Sequence, residues 1–307
     1  MASQLVELSN ALAAATELAA ANVVAVHSEP RGSASGVVWR PGVIVTSEHA
    51  LRRDEDTRVT LADGRVAQAT LVGRDSSTDL AVLKCAEATN AIANANTGDP
   101  AALKPGSLIL AVGRTRASGP VAAFGAVSLV APERKTWTGV SLTPYVRLDV
   151  SIQPTAIGGA VIGAAGKIFG VITPRFGRFG STLTPAATIN NVVDTLLEKG
   201  RIPRGYLGVG LQPVRVPEAL RQTLQREERT AVIVLEIEPN SPANNAGLMI
   251  GDIIVSIGGN TVSRLEDIHS KLHGSAIGKP FSIGIIRGGS LQEAEITIAE
   301  RPHGGEQ

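Results

Sequence analysis

The sequence predicts a mainly β protein of two domains, and three observations predict it. At 307 residues the chain has room for two ordinary domains of roughly 100–200 residues each. It carries 33 glycines and 17 prolines, which favours many turns over a helical bundle. Short apolar runs rich in β-branched residues recur between turn signals, the pattern of a β-barrel or sandwich. With 43% hydrophobic and 19% charged residues, the chain can bury real cores and is not globally disordered.

The elements follow in order. Residues 1–22 begin MASQLVELSNALAAATELAAA, with Leu5, Leu8, Leu12 and Ala15 at helical spacing, and read as an amphipathic helix docked on the body. The alternative is a frayed tail. There is no basic start, and Glu7 and Glu17 interrupt the apolar residues, so neither a secretory signal nor a membrane span is expected. That favours the cytoplasm, or the periplasm if a signal has been removed, and no membrane partner. Residues 23–199 then hold runs at 23–26, 35–39, 43–46, 58–61, 80–83, 108–112, 126–130, 145–148 and 168–172. A helical stretch, Ile189 to Lys199, closes this domain at Gly200. Residues 200–205 (Gly-Arg-Ile-Pro-Arg-Gly) read as a linker. The second domain, 206–300, has strands at 231–235, 253–257, 281–286 and 293–298 and a helical turn over Ser241 to Ala246. Its main helix is expected from Arg264 to Leu272 with Ser263 as N-cap. Residues 301–307 read as a disordered tail.

Composition also excludes functions. The net charge of +1 argues against a nucleic-acid partner, which needs a basic face. Phe 5, Trp 2 and Tyr 2 leave little for base stacking. A single cysteine, Cys85, rules out an intramolecular disulfide framework and a cysteine-based zinc site. No cofactor and no metal are expected: no second histidine stands at ligand spacing from His49.

His49 follows an apolar run in Val45-Thr46-Ser47-Glu48-His49, and Asp79 precedes one in Asp79-Leu80-Ala81-Val82-Leu83. A serine hydrolase needs a histidine base and a carboxylate that fixes its tautomer. Spacing alone favours the plainer reading, a surface histidine and an aspartate at a strand start. Together with Ser35 to Lys84, however, these strings resemble the trypsin-like proteases of the high-temperature-requirement (HtrA, DegP-like) family, with its V-T-x-x-H and D-x-x-T-D-L-A-V-L-K patterns. Leu103-Lys104-Pro105-Gly106, Leu110 to Gly113, Leu148 to Pro154 and Gly166 to Ile172 resemble further segments of that family. Arg204 to Val209, Ser241 to Leu248 and Gly251-Asp252-Ile253-Ile254 resemble its PDZ domain. The resemblance covers roughly residues 20–300 and implies a chymotrypsin-like double β-barrel followed by a PDZ domain, β-rich with two helices.

The chain departs from that family at the nucleophile. Where the family reads G-N-S-G-G-P-L, this chain reads Thr155-Ala156-Ile157-Gly158-Gly159-Ala160-Val161. Ile157 takes the serine position, and a hydrocarbon has no lone pair to attack a carbonyl. Thr155 takes the position of a glycine whose backbone donates to the oxyanion. His49 and Asp79 are then expected to persist as a hydrogen-bonded remnant of the triad. Rescue by the hydroxyl of Ser151 or Thr155 is not expected.

In the PDZ-like part, Tyr206, Leu207, Gly208 and Val209 match the carboxylate-binding loop. Leu207, Val209 and Leu211 begin a strand that would receive a peptide by β-addition. Ile268 and Leu272 lie one turn apart on the expected helix and line a side-chain pocket, or else pack the domain core. The expected partners are C-terminal or unfolded peptides, with a homo-oligomer or an active paralogue as further candidates. The function expected is that of an inactive HtrA-like homologue acting as adaptor, regulator or holdase; the alternative is a weakly active endopeptidase of protein quality control. A structural subunit of active paralogues is a third.

Overall fold

The computed structural model describes residues 2–27, 33–51, 57–89, 97–135, 141–174, 180–223, 226–272 and 274–301; most of the expected tail, 302–307, lies outside them. The strands nearest the start read as unbroken apolar runs because both their faces are covered. In Val43–Ser47 every residue is buried. Ile44 points into a barrel with Val24, Val26, Val59 and Leu83. Val43 and Val45 instead face a seam with Leu80, Val82, Leu110 and Ile162. Period-two geometry sends neighbouring residues to opposite faces, and here both faces are apolar.

The first closed barrel orders its strands Val23–His27, Ser33–Arg40, Val43–Ser47, Leu80–Lys84, Val66–Asp75 and Thr57–Thr60. The second orders them Tyr145–Asp149, Ser181–Pro185, Ile168–Thr173, Ala160–Gly163, Leu108–Thr115 and Gly119–Ala131. This is the chymotrypsin-like double barrel. The second barrel is filled by Ile109, Val127, Val146, Leu148, Ile172 and Leu183 among others. The helix Ala186–Lys199 lays Ile189, Val192, Val193 and Leu196 on the seam. Trp39 Nε1 donates to Asn190 Oδ1 at 2.7 Å, tying the first barrel to that helix. The helix stops at Gly200, whose N–H donates to Leu196 O at 2.8 Å.

The N-terminal helix runs Ala2–Ala20, but its contacts correct the sequence reading. Leu5 and Leu8 are 68% and 39% exposed. Docking falls to the last turns: Ala15, Ala19 and Ala20 are buried on the seam with Leu12 partly covered. Small side chains bring the helix backbone close there. Buried Arg114 completes the attachment, donating to Val23 O at 2.6 Å and to Ala20 O at 2.8 Å. A cation at a helix C-terminus faces the negative end of the dipole.

The chain divides into two compact units, 1–134 with 142–202 and 135–141 with 203–307. In the second unit a six-stranded sheet orders Val209–Arg215, Thr230–Ile237, Ile253–Ile257, Pro280–Arg287 and Ser290–Thr297, with Asn260–Thr261 paired to Ile253–Ile257. Strand Val209–Arg215 is an edge. The main helix is shorter than expected, Leu265–His269, and Arg264 rather than Ser263 is its N-cap. Asp267 decides this: its Oδ2 accepts from Ser263 N at 2.9 Å and Arg264 N at 3.0 Å. Asp252, 1% exposed, accepts from both Arg287 Nε (2.8 Å) and Nη2 (2.7 Å).

Candidate functional site

His49 stands in a 3-10 turn, Glu48–Ala50, at the end of strand Val43–Ser47. Asp79 precedes strand Leu80–Lys84, which pairs with Val43–Ser47 through Ser47↔Leu80. Thirty residues of sequence are thus closed by one strand pairing. Both Asp79 carboxylate oxygens lie 2.8 Å from His49 Nδ1. The carboxylate also accepts from His49 N at 3.1 Å, from Ser47 Oγ at 2.8 Å and from Thr173 Oγ1 of the second barrel. Asp79 has φ of 55° and is completely buried. Burial alone pushes its carboxyl up. The hydrogen bonds from His49 and Thr173 and the His49 charge outweigh it and hold the carboxyl below the ordinary aspartate range. Thr173 and Ser47 were not legible as site residues in the sequence, since nothing in a strand-end Thr marks a partner 94 positions away.

Ile157 is half-buried and ends a second 3-10 turn, Pro154–Ala156. Its loop lies against the turn that carries His49: a side chain on Gly158 would meet Ser35 O at 2.4 Å and Ser47 N at 2.8 Å. Gly158 also has φ of +80°, so only glycine suits this approach. Thr155 sits inside the 3-10 turn and is not among the positive-φ residues. Four N–H groups of this loop already have acceptors. Ala156 N donates to Gln153 O (2.9 Å), Ile157 N to Pro154 O (3.2 Å), Gly158 N to Ile172 O (3.1 Å) and Gly159 N to Ala156 O (3.0 Å). Buried Ser35 clamps the arrangement. Its Oγ donates to Thr155 O at 2.5 Å and accepts from Arg114 N at 2.8 Å, while its N donates to Ile157 O at 2.8 Å.

In the second unit, Gly208 has φ of +74°, and a Cβ there would come within 2.2 Å of Ser241 Cβ. Its carbonyl accepts from Glu238 N at 2.9 Å, and Val209 faces Ile237 in register. Antiparallel pairs alternate between bonded and unbonded steps, so Val209 turns its own N–H and C=O to the open edge. Among the described residues, Leu207 N and Gly208 N donate to no acceptor. The loop therefore offers three N–H groups at the start of an edge strand, beside the helix Leu265–His269. Tyr206 is half-buried, and its hydroxyl donates to Glu238. Burial first, then that carboxylate, pushes its hydroxyl pKa up to about 12. Leu207 and Ile268 are buried in the domain core, whereas Val209, Leu211 and Leu272 are partly exposed and pack against it. Among the described residues no group of His, Cys, Asp and Glu is placed to hold a metal.

Comparison with known proteins matches residues 34–171 to the trypsin-like peptidase domain and residues 205–298 to the PDZ domain. A probable periplasmic serine endoprotease, DegP-like, of Brucella suis is 30% identical over 283 residues, covering 90% of this chain and 54% of the relative. The chloroplastic Protease Do-like 1 of Arabidopsis thaliana is 29% identical over 291 residues, covering 89% and 65%. This chain thus spans between half and two thirds of the length of these curated relatives. Among solved structures, the serine endoprotease from Yersinia pestis superposes with a TM-score of 0.70 at 27% identity, covering 94% of this chain and 97% of that one. The HtrA-type protease AlgW with tripeptide gives 0.71 at 26% identity with the same coverage. No described helix is long and apolar enough to cross a membrane.

Proposed function

We propose that this chain, whose residues 34–171 match the trypsin-like peptidase domain and 205–298 the PDZ domain, is an HtrA/DegP-like homologue that recognises peptides without cleaving them. The observation that carries this is Ile157, in the string that resembles the family's serine motif, on a loop packed against Ser35, Thr46 and Ser47 at the end of the strand that leads to His49. Without a nucleophile the pair has nothing to deprotonate, and loss of such a serine costs on the order of a million-fold in turnover. The oxyanion side is weakened too, because the Ile157 N–H is already bonded to Pro154 O and Thr155 replaces glycine. One lost donor costs roughly a hundred- to a thousand-fold.

Binding falls to the PDZ domain. The N–H groups of Leu207, Gly208 and Val209 suit a C-terminal carboxylate, and the edge strand from Val209 suits addition of the peptide as a further strand. Leu211 and Leu272, partly exposed near this edge, would meet its side chains, with Ile268 and Leu207 forming the floor beneath. The role that follows is adaptor, regulator or holdase for C-terminal or unfolded peptides.

A second reading is a weakly active HtrA-type endopeptidase. It is favoured by the intact His49–Asp79 hydrogen bonds and by relatives named as proteases. Incubating the full chain with unfolded casein and, separately, with a fluorophosphonate label decides between them. No cleavage and no labelling are expected. Casein cleavage that survives purification and disappears in His49→Ala would establish the second reading instead.

A further inference from the structure

The His49–Asp79 pair retains a chemistry of its own that depends neither on a serine nor on peptide capture by the PDZ domain. A carboxylate only accepts hydrogen bonds, so with both Asp79 oxygens 2.8 Å from Nδ1 the imidazole proton resides on Nδ1. In the neutral imidazole the lone pair is then on Nε2. Among the described residues Nε2 has no hydrogen-bond partner, and the His49 side chain is 32% exposed. The carboxylate behind it cannot swing away: Ser47 Oγ, His49 N and Thr173 Oγ1 all donate to it. In a serine protease a hydroxyl occupies the base. Here the residue at that position is a hydrocarbon, which can neither donate to nor accept from the imidazole.

We propose that His49 Nε2 is a nucleophile towards activated acyl groups, and that this chain slowly hydrolyses esters with good leaving groups, such as aryl esters. The Nε2 lone pair forms a bond to the carbonyl carbon, the ester C–O bond breaks, and the leaving group departs as phenolate. The resulting acyl-imidazolium keeps its Nδ1 proton, and the Asp79 carboxylate neutralises its charge. Water then attacks the acyl carbon, the C–N bond breaks with its electron pair returning to Nε2, and the carboxylic acid leaves with its proton lost to solvent. The balance is ester plus water to acid plus phenol. Amides are outside this activity, because an amine anion leaves far less readily than an imidazole. With the Ile157 N–H bonded to Pro154 O, there is little donor assistance to make up the difference.

The test uses p-nitrophenyl acetate and the full chain, with phenolate release followed at constant pH and the acetyl group mapped by mass spectrometry of rapidly quenched samples. The protein-dependent rate is expected to fall at least fivefold in His49→Gln and several-fold in Asp79→Asn, with the adduct on His49. Circular dichroism and thermal melting of His49→Gln, a half-exposed position, check that it stays folded. A His49→Gln rate within twofold of the starting protein, or acetylation confined to lysines, overturns the inference. An adduct on Ser151 or Thr155 overturns it too, and at the same time shows an activated hydroxyl. Cleavage of casein would overturn the reading as a non-cleaving homologue and leave the imidazole chemistry standing.

Discussion

Placing serine at position 157 should not by itself produce a protease, and the structure says by how much it should fall short. In the present turn Ile157 N donates to Pro154 O and Ser35 Oγ donates to Thr155 O. Turning the loop to present both oxyanion donors breaks these two bonds, each worth about 0.5–1.5 kcal/mol net. It also places a β-branched threonine in the conformation that glycine holds in the family, a strain of about 1–3 kcal/mol. Together these disfavour the competent loop by roughly 30- to 10⁴-fold, at about 1.4 kcal/mol per factor of ten. Thr155→Gly removes only the strain. The double variant Thr155→Gly/Ile157→Ser should therefore exceed Ile157→Ser by about 5- to 150-fold. The assay is kcat/KM on a fluorogenic unfolded substrate, with Ser35→Ala added as a third step that should raise activity again if the clamp holds the loop. If Ile157→Ser alone matches the double variant within twofold, the loop already presents its donors and the argument is wrong.

Gly208→Val should abolish peptide binding to the full chain, since its Cβ would sit 2.2 Å from Ser241 Cβ at a φ of +74°; calorimetry of the variant at unchanged affinity would remove the loop from the site. Asp79 titrates below its ordinary range in the folded protein, so it contributes stability above about pH 4 that is lost as pH falls through the folded value. Acid unfolding of Asp79→Asn, followed by fluorescence, should accordingly be less steep than that of the parent, and identical pH profiles would exclude this contribution. Arg114→Met should loosen the helix Ala2–Ala20, because the guanidinium holds the Ala20 and Val23 carbonyls. Hydrogen exchange should then accelerate in residues 12–20 while the strand Leu108–Thr115 stays protected; unchanged exchange in the helix would show that Ala15, Ala19 and Ala20 suffice. Ile268→Ala should lower stability by about 2–5 kcal/mol, as expected for a completely buried isoleucine, and urea denaturation measures it.

Most strands were legible as short apolar runs, and two that lack such a run were not. Val66–Asp75 escapes a sequence reading because its inward residues include Ala67 and Ala69 while Val66 is 58% exposed. Ser181–Pro185 hides because it is a fully buried strand written in Ser, Thr and Pro around a single leucine. The N-terminal helix was visible by its spacing, but its contact face was not. Leucine looks like the docking residue, yet the seam accepts Ala15 and Ala19 and leaves Leu5 to solvent. At the site, His49 and Asp79 were nameable only through the family resemblance, since spacing alone allowed a surface pair. Ser35 and Thr173 were invisible for a different reason. Their roles come from barrel closure, which brings Ser35 to Thr155 and Thr173 to Asp79 across 120 and 94 positions.

The central claim is that peptide binding and peptide cleavage are separated in this chain, and one experiment reads both. A peptide with a free, hydrophobic C-terminus is titrated into the full chain by calorimetry, alongside its C-terminally amidated twin, and each mixture is afterwards analysed by mass spectrometry. The free acid should bind with modest affinity, the amide should bind far more weakly because its charge and one acceptor oxygen are gone, and both peptides should be recovered intact. Equal binding of acid and amide, or recovery of cleaved peptide that depends on His49, would contradict the account.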